Sequence, residues 1–251
     1  MSVRTAALVG VVGGAGTTRT AVELAGALAR AERSVLVFDL DFATQGLSRS
    51  VSGRIEPDAT ALLADPSLDL ADAAISWSVE GPGRLDVLPA YAPFVDVAAA
   101  KTVEAAERVG DRLREATGTY DHVLLDVPPI VSNQAIGGVD AADRVAAAFP
   151  GSDRGLDALQ RTKGRLEDVG SPLDVAIATR TMAADAPPDA DAAVPLLPAK
   201  PAPDRPVALE GSGEETVAVA EAAATLFELE LEIESAQPAS SMLERVRGRL
   251  S

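Results

Sequence analysis

A cluster of glycines near the N-terminus is the segment of this sequence best suited to bind a ligand. Residues 12–20 read VGGAGTTRT and follow an apolar run over residues 6–12. Glycines allow a tight backbone turn whose N–H groups face an anion, and a helix that begins after the turn adds the positive end of its dipole. Many tight strand-to-helix turns also contain glycine, so the loop alone does not settle the function. The candidate phosphate ligands are Gly13, Gly14, Ala15, Gly16, Thr17 and Thr18.

Three aspartates stand at or just after the ends of apolar runs. Asp39 and Asp41 follow residues 34–38, and Asp126 follows residues 122–125. Carboxylates are hard oxygen ligands of the kind that Mg²⁺ takes. They also serve as ordinary polar strand ends or helix caps, and the sequence leaves both roles open.

Apolar runs alternate with segments of helical spacing along the chain. Short continuous apolar runs suit strands that are buried on both faces. Strands that alternate with helices predict an α/β fold with a mostly parallel, doubly wound sheet of about seven strands. The predicted strands cover residues 6–12, 34–38, 85–88, 122–125, 144–149, 173–178 and 194–197. The predicted helices cover residues 18–31, 59–64, 70–75, 97–117, 156–169 and 214–234.

The glycine-rich loop resembles the deviant Walker A motif of the MinD/ParA family, whose pattern is Lys-Gly-Gly-x-Gly-Lys-Thr-Thr. The matching positions are Gly13, Gly14, Gly16 and Thr18. Val12 stands where the family has its signature lysine, which reaches across the dimer to the partner's nucleotide. Thr17 stands where the family has the lysine that contacts the β- and γ-phosphates. By this resemblance the loop is a degenerate Walker A motif without either cation.

Further segments resemble the family in the correct order along the chain. They are residues 35–41 (VLVFDLD), 85–90 (LDVLPA), 120–129 (YDHVLLDVPP) and 141–145 (AADRV). The resemblance covers residues 4–230 and implies a P-loop NTPase fold that binds ATP and Mg²⁺. It also implies that Asp39 and Asp41 are catalytic residues near the attacking water, and that Thr18 and Asp126 hold the Mg²⁺ ion.

The missing lysines argue against hydrolysis more than against binding. Arg19 is the nearest cation, but two positions beyond Thr17 it should point roughly 200° away around the helix. Losing two cations should remove several kcal/mol from transition-state binding. Backbone amides, Thr18 and Mg²⁺ could still hold a diphosphate. ATP and Mg²⁺ therefore remain candidate cofactors, and the sequence favours a protein without ATPase activity over an enzyme.

The balance of acidic and basic residues indicates a protein that is adapted to high salt. The chain carries 38 acidic and 22 basic residues, a net charge of −16, and only three of the basic residues are lysines. Such self-repulsion destabilises a compact state unless salt screens it, and at about 1 M salt the Debye length falls to ~3 Å. The composition is typical of a halophilic, haloarchaeal protein; an acidic protein from a GC-rich mesophile is the alternative. It also makes nucleic acid an unfavourable partner, since binding DNA requires a basic patch.

Other residue counts exclude several kinds of site. Cysteine is absent and His122 is the only histidine, so disulfides, thiolate metal sites and histidine metal clusters are excluded. No apolar run approaches the ~20 residues of a membrane span, and the N-terminus lacks a charged-then-apolar signal layout. We therefore expect a cytoplasmic protein.

The C-terminal end predicts a separate short helix. We expect a P-loop domain over residues 1–234, a linker over 235–241 (SAQPASS) and a basic amphipathic helix over 242–251. Its apolar side chains fall within an arc of about 100°, with arginines beyond both edges. Such a face suits weak peripheral contact with the inner face of the cell membrane, a partner protein, or the domain itself. The contact residues are Met242, Leu243, Val246 and Leu250.

Two functions from different classes remain open at this point. The first is a degenerate MinD/ParA-like protein that acts as a scaffold or regulatory partner in spatial positioning, partitioning or cell division. It would pair as a homodimer, or as a heterodimer with an active paralogue. The second is an active but atypical MinD-like ATPase that cycles on the membrane. Nucleotide binding and hydrolysis, measured in high-salt buffer, would separate the two.

Overall fold

The computed structural model describes residues 3–199 and 204–231, in which helices cover both faces of one sheet. The strands are β1 (Thr5–Gly10), β2 (Ser34–Asp39), β3 (Ile75–Trp77), β4 (Arg84–Leu88), β5 (His122–Val127), β6 (Arg144–Pro150), β7 (Val175–Thr179) and β8 (Ala192–Val194). The α-helices are α1 (Thr17–Arg30), α2 (Ala59–Ala64), α3 (Leu70–Ala73), α4 (Phe94–Ala99), α5 (Val103–Thr117), α6 (Asn133–Ala141), α7 (Asp153–Asp168), α8 (Val207–Glu210) and α9 (Glu214–Phe227).

The strands form one sheet in the order β3-β4-β2-β5-β1-β6-β7-β8. Every pairing is parallel except that of β3 with β4. The inner strands are buried along their whole length, which explains why they are continuous apolar runs. The chain reverses its winding direction between β1 and its neighbours β5 and β6. In such sheets the crevice at the carboxyl ends of the strands is where ligands bind.

Alternate residues of each strand supply the two faces of the sheet. Leu8 packs with α1, α8 and α9 on one face. Ala7 and Val9 pack with α2 to α6 on the other face, where α7 covers the β6–β7 end. The core is built from Val, Leu, Ile and Ala with few aromatic side chains, as the composition requires. α1 therefore packs against the sheet and against helices α8 and α9, and its N-terminus lies at the carboxyl end of β1.

The α/β class, the parallel sheet and the doubly wound arrangement are confirmed, while the prediction of about seven strands is one short of the eight in the described residues. The additional strand, Ile75–Trp77, pairs antiparallel with β4 at the sheet edge. The sequence placed Ile75 at the end of a helix, because three residues are too few to show an alternating pattern.

The helix predicted over residues 97–117 is wrong as a single element. It is two helices, and the second begins where the Thr102 hydroxyl accepts a hydrogen bond from the Ala105 N–H at 3.2 Å. The sequence also missed α6, whose paired glycines disfavour a helix locally. A Cβ on Gly137 would lie 2.5 Å from the Ala106 carbonyl oxygen, so the close approach of α5 requires glycine there.

Several smaller boundaries also differ. The last helix ends at Phe227 and not near residue 234, and β8 spans residues 192–194 and not 194–197. The domain end at 234, the linker over 235–241 and the helix with Met242, Leu243, Val246 and Leu250 lie outside the described residues. Within the described part of the chain, no helix is long and apolar enough to cross a membrane.

Candidate functional site

The glycine-rich loop connects β1 to α1 in a fixed conformation. Gly14 has a φ of 78° and Gly16, the N-cap of α1, has a φ of 87°. Only glycine adopts such angles at little cost. A hydrogen bond of 3.2 Å from the Ala15 N–H to the Val12 carbonyl closes the turn. A Cβ placed on Gly13 or Gly14 would meet no atom within 4 Å, so this part of the backbone is open to a ligand.

Strand β7 holds the loop from the side. The buried Thr179 hydroxyl donates to the Ala15 carbonyl at 2.7 Å, and it lies 3.2 Å from the Phe149 carbonyl at the end of β6. One hydroxyl group therefore connects the ends of β7 and β6 with the glycine-rich loop. The next residue, Arg180, has a φ of 56°, which is uncommon for a residue with a side chain.

Neither position that holds a lysine in the family pattern offers a cation here. Thr17 is half-buried, and a Cβ on Gly10 would lie only 2.5 Å from its Oγ1 atom, so the hydroxyl packs over the end of β1. Val12 packs against the apolar cluster between α7 and strands β6 and β7. The side chain of Thr18 lies on the other side, near Gly46.

Two buried carboxyl groups stand at the ends of neighbouring strands. Asp39 and Asp126 are register partners of β2 and β5, and both are at most 1% exposed. Asp39 accepts hydrogen bonds from the Asp41 N–H at 2.8 Å and the Ala90 N–H at 3.4 Å. The Oδ2 atom of Asp126 is buried, and no hydrogen-bond partner for it lies within the described residues.

Burial makes both carboxyl groups hold protons more tightly than usual. It raises the pKa of Asp39 well above the ordinary value, and the charge on Asp126 raises it further. Burial also raises the pKa of Asp126 to about 7, against an opposing hydrogen bond from Thr18 and with an added contribution from Asp41. A cation next to these groups would reverse the shift.

Asp41 is half-buried and organises the loop that follows β2. It accepts hydrogen bonds from the Thr44 hydroxyl at 2.6 Å and from the Ala43 and Thr44 N–H groups at 3.2 and 3.1 Å. These three bonds give the Asp41 carboxylate a structural role, which is to stabilise the turn. Asp41 nevertheless lines the same cavity as the glycine-rich loop, and this position is compatible with a second role.

A cavity of about 490 Å³ brings most of the predicted site residues together. Asp39 is not among its lining residues and lies on the neighbouring strand, in register with Asp126. The predicted residues that line it are Gly13, Gly14, Ala15, Gly16, Thr17, Thr18, Asp41 and Asp126. The carboxyl end of a switch-point strand is the expected place for such a crevice.

Three arginines also line this cavity. Arg19 forms an ion pair of 2.8 Å with the buried Glu23 and donates to the Pro198 carbonyl at 2.9 Å, so its guanidinium is already bound. Arg49 and Arg180 were missed by sequence reasoning. Neither arginine belongs to a sequence motif. Arg49 lies in a 3-10 turn about 30 residues beyond the loop, and Arg180 follows β7, which is distant in sequence. Only the fold brings them to the loop.

The residues at this site fit a nucleotide with Mg²⁺. Open loop amides and the N-terminus of α1 suit phosphates. The buried Asp126 oxygen that lacks a partner, with Thr18 beside it, suits a hard cation. In the described part of the chain no group of three His, Cys, Asp or Glu side chains could hold a metal ion. Mg²⁺ usually takes one or two carboxylates together with phosphates and water.

Comparison with known proteins places this geometry in a family. A family model described as an AAA domain matches residues 3–171. The chromosome partitioning protein ParA of Caulobacter vibrioides is 30% identical over 65% of this chain. The chain spans 64% of the length of that relative.

Two solved structures share the fold. The MinC:MinD cell division protein complex of Aquifex aeolicus gives a TM-score of 0.72 at 17% identity, over 93% of this chain and 100% of that one. The septum site-determining protein MinD of Pyrococcus horikoshii, complexed with Mg-ADP, gives a TM-score of 0.68 at 19% identity. The match covers 88% of this chain and 94% of that one. With the P-loop fold, the ordered motifs and the matching family model together, this chain belongs to the MinD/ParA family.

Proposed function

We propose that this chain is a nucleotide-binding regulator of spatial positioning, in partitioning or cell division, which hydrolyses ATP very slowly or not at all. It acts as a scaffold, paired as a homodimer or as a heterodimer with an active MinD/ParA-like paralogue. The relatives named for chromosome partitioning and cell division support a role in positioning.

The observation that carries the proposal is the state of the loop cavity. The backbone that would bind phosphates is open, and a buried Asp126 oxygen without a partner lines the same space. Keeping a buried carboxyl oxygen without a hydrogen-bond partner costs folding free energy. Retention of this arrangement is expected where a cation and an anion bind, and a loop that served only as a turn would not need it.

The same cavity supports binding better than catalysis. Phosphoryl transfer depends on cations positioned at the transferring phosphate. Val12 is packed into an apolar cluster and Thr17 over Gly10, so neither position provides such a charge. Removing one preorganised group that stabilises the transition state typically costs ~10²–10³ in rate. We therefore expect a protein that responds to which nucleotide is bound and does not consume it.

When bound, Mg-nucleotide would supply the negative phosphate oxygens and the cation that this site lacks. The amides of residues 13–18 would bind the phosphates, and the Thr18 hydroxyl and Asp126 would hold Mg²⁺. Asp39 would keep the Asp41 backbone in place through the bond to its N–H. Through the turn at Asp41, the presence or absence of bound nucleotide would affect the loop that follows β2.

One observation favours the alternative, an active but atypical ATPase that cycles on the membrane. Asp39, Asp41 and Asp126 are all kept at the carboxyl edge of the sheet, although only Asp126 and Asp41 reach the cavity. A protein that had lost hydrolysis long ago would not need all three. Under this alternative the carboxylates position water, and the turnover is limited by the missing lysines.

The chain's net charge of −16 bears on its surroundings and partners. It supports a halophilic, cytoplasmic setting in which molar salt screens self-repulsion. It argues against direct DNA binding, which needs a basic patch. Weak peripheral membrane contact, through residues 242–251, completes the proposal.

The test is a titration with Mg-ADP and Mg-ATP by calorimetry in 2 M KCl, together with a phosphate-release assay. We expect micromolar to millimolar binding that requires Mg²⁺, and phosphate release no faster than in buffer. Asp126→Ala should abolish the Mg²⁺ dependence. Phosphate release that requires Mg²⁺ and is lost in Asp126→Ala would support the ATPase alternative instead. The absence of any nucleotide binding would refute both.

A further inference from the structure

Two arginines reach the loop cavity from elements that are distant in sequence. Arg49 lies in the 3-10 turn Gly46–Ser50, and Arg180 follows β7. Both line the cavity with the glycine-rich loop. A guanidinium nitrogen of Arg180 lies 4.0 Å from the point at which Gly16 would carry a Cβ atom. Gly16 is the N-cap of α1, so this charge stands where the loop amides begin.

Within residues 3–199 and 204–231, neither of these guanidinium groups has a hydrogen-bond or ion-pair partner. Arg19, at the same cavity, differs because Glu23 and the Pro198 carbonyl bind it. Two arginines without a partner at one cavity are free to bind an anionic ligand.

The backbone at Arg180 is held in an unfavourable conformation. Its φ of 56° places a residue with a side chain in the left-handed region, which such residues adopt only when the surrounding structure enforces it. The preceding Thr179 is fixed by its hydroxyl to Ala15 at 2.7 Å. This bond ties the end of β7 to the loop, so Arg180 begins next to a residue that is anchored to the loop.

We infer that Arg180 and Arg49 bind the phosphate chain of the ligand in this loop and supply the positive charge that positions 12 and 17 lack. The inference rests on the proposed function, since it takes the ligand to be a nucleotide. The recognised chemistry is a chain of phosphates, which the planar guanidinium group binds through paired N–H donors. The unpaired Asp126 oxygen in the same cavity accounts for the accompanying Mg²⁺ ion.

The experiment measures affinity in wild-type protein, Arg180→Ala, Arg49→Ala and the double variant, all at one KCl concentration. Each is titrated by calorimetry with Mg-ATP and, separately, with Mg-tripolyphosphate, which lacks the nucleoside. Loss of one charged hydrogen-bonding group should weaken binding about tenfold or more. The double variant should lose about a hundredfold, and Arg180→Lys should retain part of the affinity.

Arg165→Ala is the matched control, because Arg165 is an exposed arginine near the C-terminal end of α7 and does not line the cavity. It should bind like the wild type. Circular dichroism melting without ligand checks folding, and all variants should melt together because the two side chains lack partners.

The two ligands separate the possible outcomes. Unchanged affinity in the double variant, with a wild type that binds Mg-ATP, would overturn the arginine site and leave the nucleotide proposal intact. Arginine-dependent binding of tripolyphosphate without binding of ATP would support the site and refute the nucleotide. Failure of the wild type to bind either ligand would refute both.

Discussion

Asp39 and Asp126 are register partners on adjacent parallel strands, and both carboxyl groups are buried at the edge of the sheet that carries the glycine-rich loop. Two buried carboxylates side by side repel each other and lose their hydration. The Asp41 and Ala90 N–H groups offset part of this cost at Asp39. The Oδ2 atom of Asp126 has no such partner in the described residues. The arrangement therefore makes the free energy of folding less favourable, and a cation bound at this place would offset the loss.

The first prediction is that Asp126→Asn stabilises the ligand-free protein at pH 8. Burial raises the pKa of Asp126 to about 7, so the folded chain binds this proton more tightly than the unfolded chain does. The stability of the wild type should therefore fall as pH rises from about 4 to 7. The variant escapes a penalty of a few kcal/mol, equivalent to a melting temperature roughly 5 °C higher or more.

The pH dependence is the control for this prediction. Near pH 4 both chains carry a neutral group in the folded state, so their melting temperatures should converge. Mg-nucleotide should raise the melting temperature of the wild type more than that of the variant, which lacks the carboxylate proposed to hold Mg²⁺. A gap between the two proteins that is the same at pH 4 and pH 8 would show that packing, and not ionisation, causes the difference.

The sequence was sufficient to predict the fold because the inner strands are buried on both faces. Short continuous apolar runs such as residues 34–38 and 122–125 favour buried strands, and the helices α1, α5 and α7 are amphipathic. Three-residue strands such as β3 lie below the length at which a period can be seen. The α6 helix was missed because its stability comes from packing on α5, which overrides the local preference of its glycines.

The loop and the aspartates could be found because their roles depend on neighbours in sequence or on a family pattern. Arg49 and Arg180 could not be found in this way. Tertiary structure brings both to the cavity: Gly46, near Arg49, packs against Thr18, and Thr179, next to Arg180, is bonded to Ala15. Sequence reasoning did assess Arg19 and expected it to point away from the phosphates; its guanidinium is in fact bound by Glu23.

The second prediction is that Thr17→Lys increases the affinity for Mg-ATP about tenfold. The side chain at position 17 begins α1 beside the loop amides, so a lysine there adds a charge at the phosphates. Thr17→Met, which is long but uncharged, is the control and should not increase it. Val12→Lys alone should give no gain and should lower the melting temperature, because Val12 packs in an apolar cluster. If Thr17→Lys leaves the affinity unchanged, phosphates do not occupy this loop.

The third prediction concerns the hydroxyl that fixes the loop to β7. Thr179→Val keeps the shape but leaves the buried Ala15 carbonyl without this donor, at a cost of about 1–3 kcal/mol. We expect a melting temperature several degrees lower and weaker binding of Mg-ATP. Thr225→Val is the control, since its exposed hydroxyl bonds only within α9. Unchanged affinity, despite the lower melting temperature, would show that the Thr179–Ala15 hydrogen bond contributes to stability and not to ligand binding.

The fourth prediction is that the fold loosens as KCl falls below about 0.5 M. The reason is the net charge of −16, whose self-repulsion returns as the Debye length grows toward ~10 Å at 0.1 M. Circular dichroism melts across a KCl series measure the effect, with NaCl as a check on ion identity. A melting temperature that stays constant down to 0.1 M would rule out adaptation to high salt.

The fifth prediction is that residues 242–250 localise the protein and that the domain folds without them. Val246 lies at the centre of the predicted apolar arc, so Val246→Glu should disperse a fluorescent fusion as completely as truncation after Ser241 does. Arg247→Ala is the milder comparison, because molar salt already screens that charge. The purified truncation should melt within a few degrees of the full chain. If the fusions distribute alike and the truncated protein melts far lower, then the segment is a structural part of the domain and its proposed membrane or partner role is wrong.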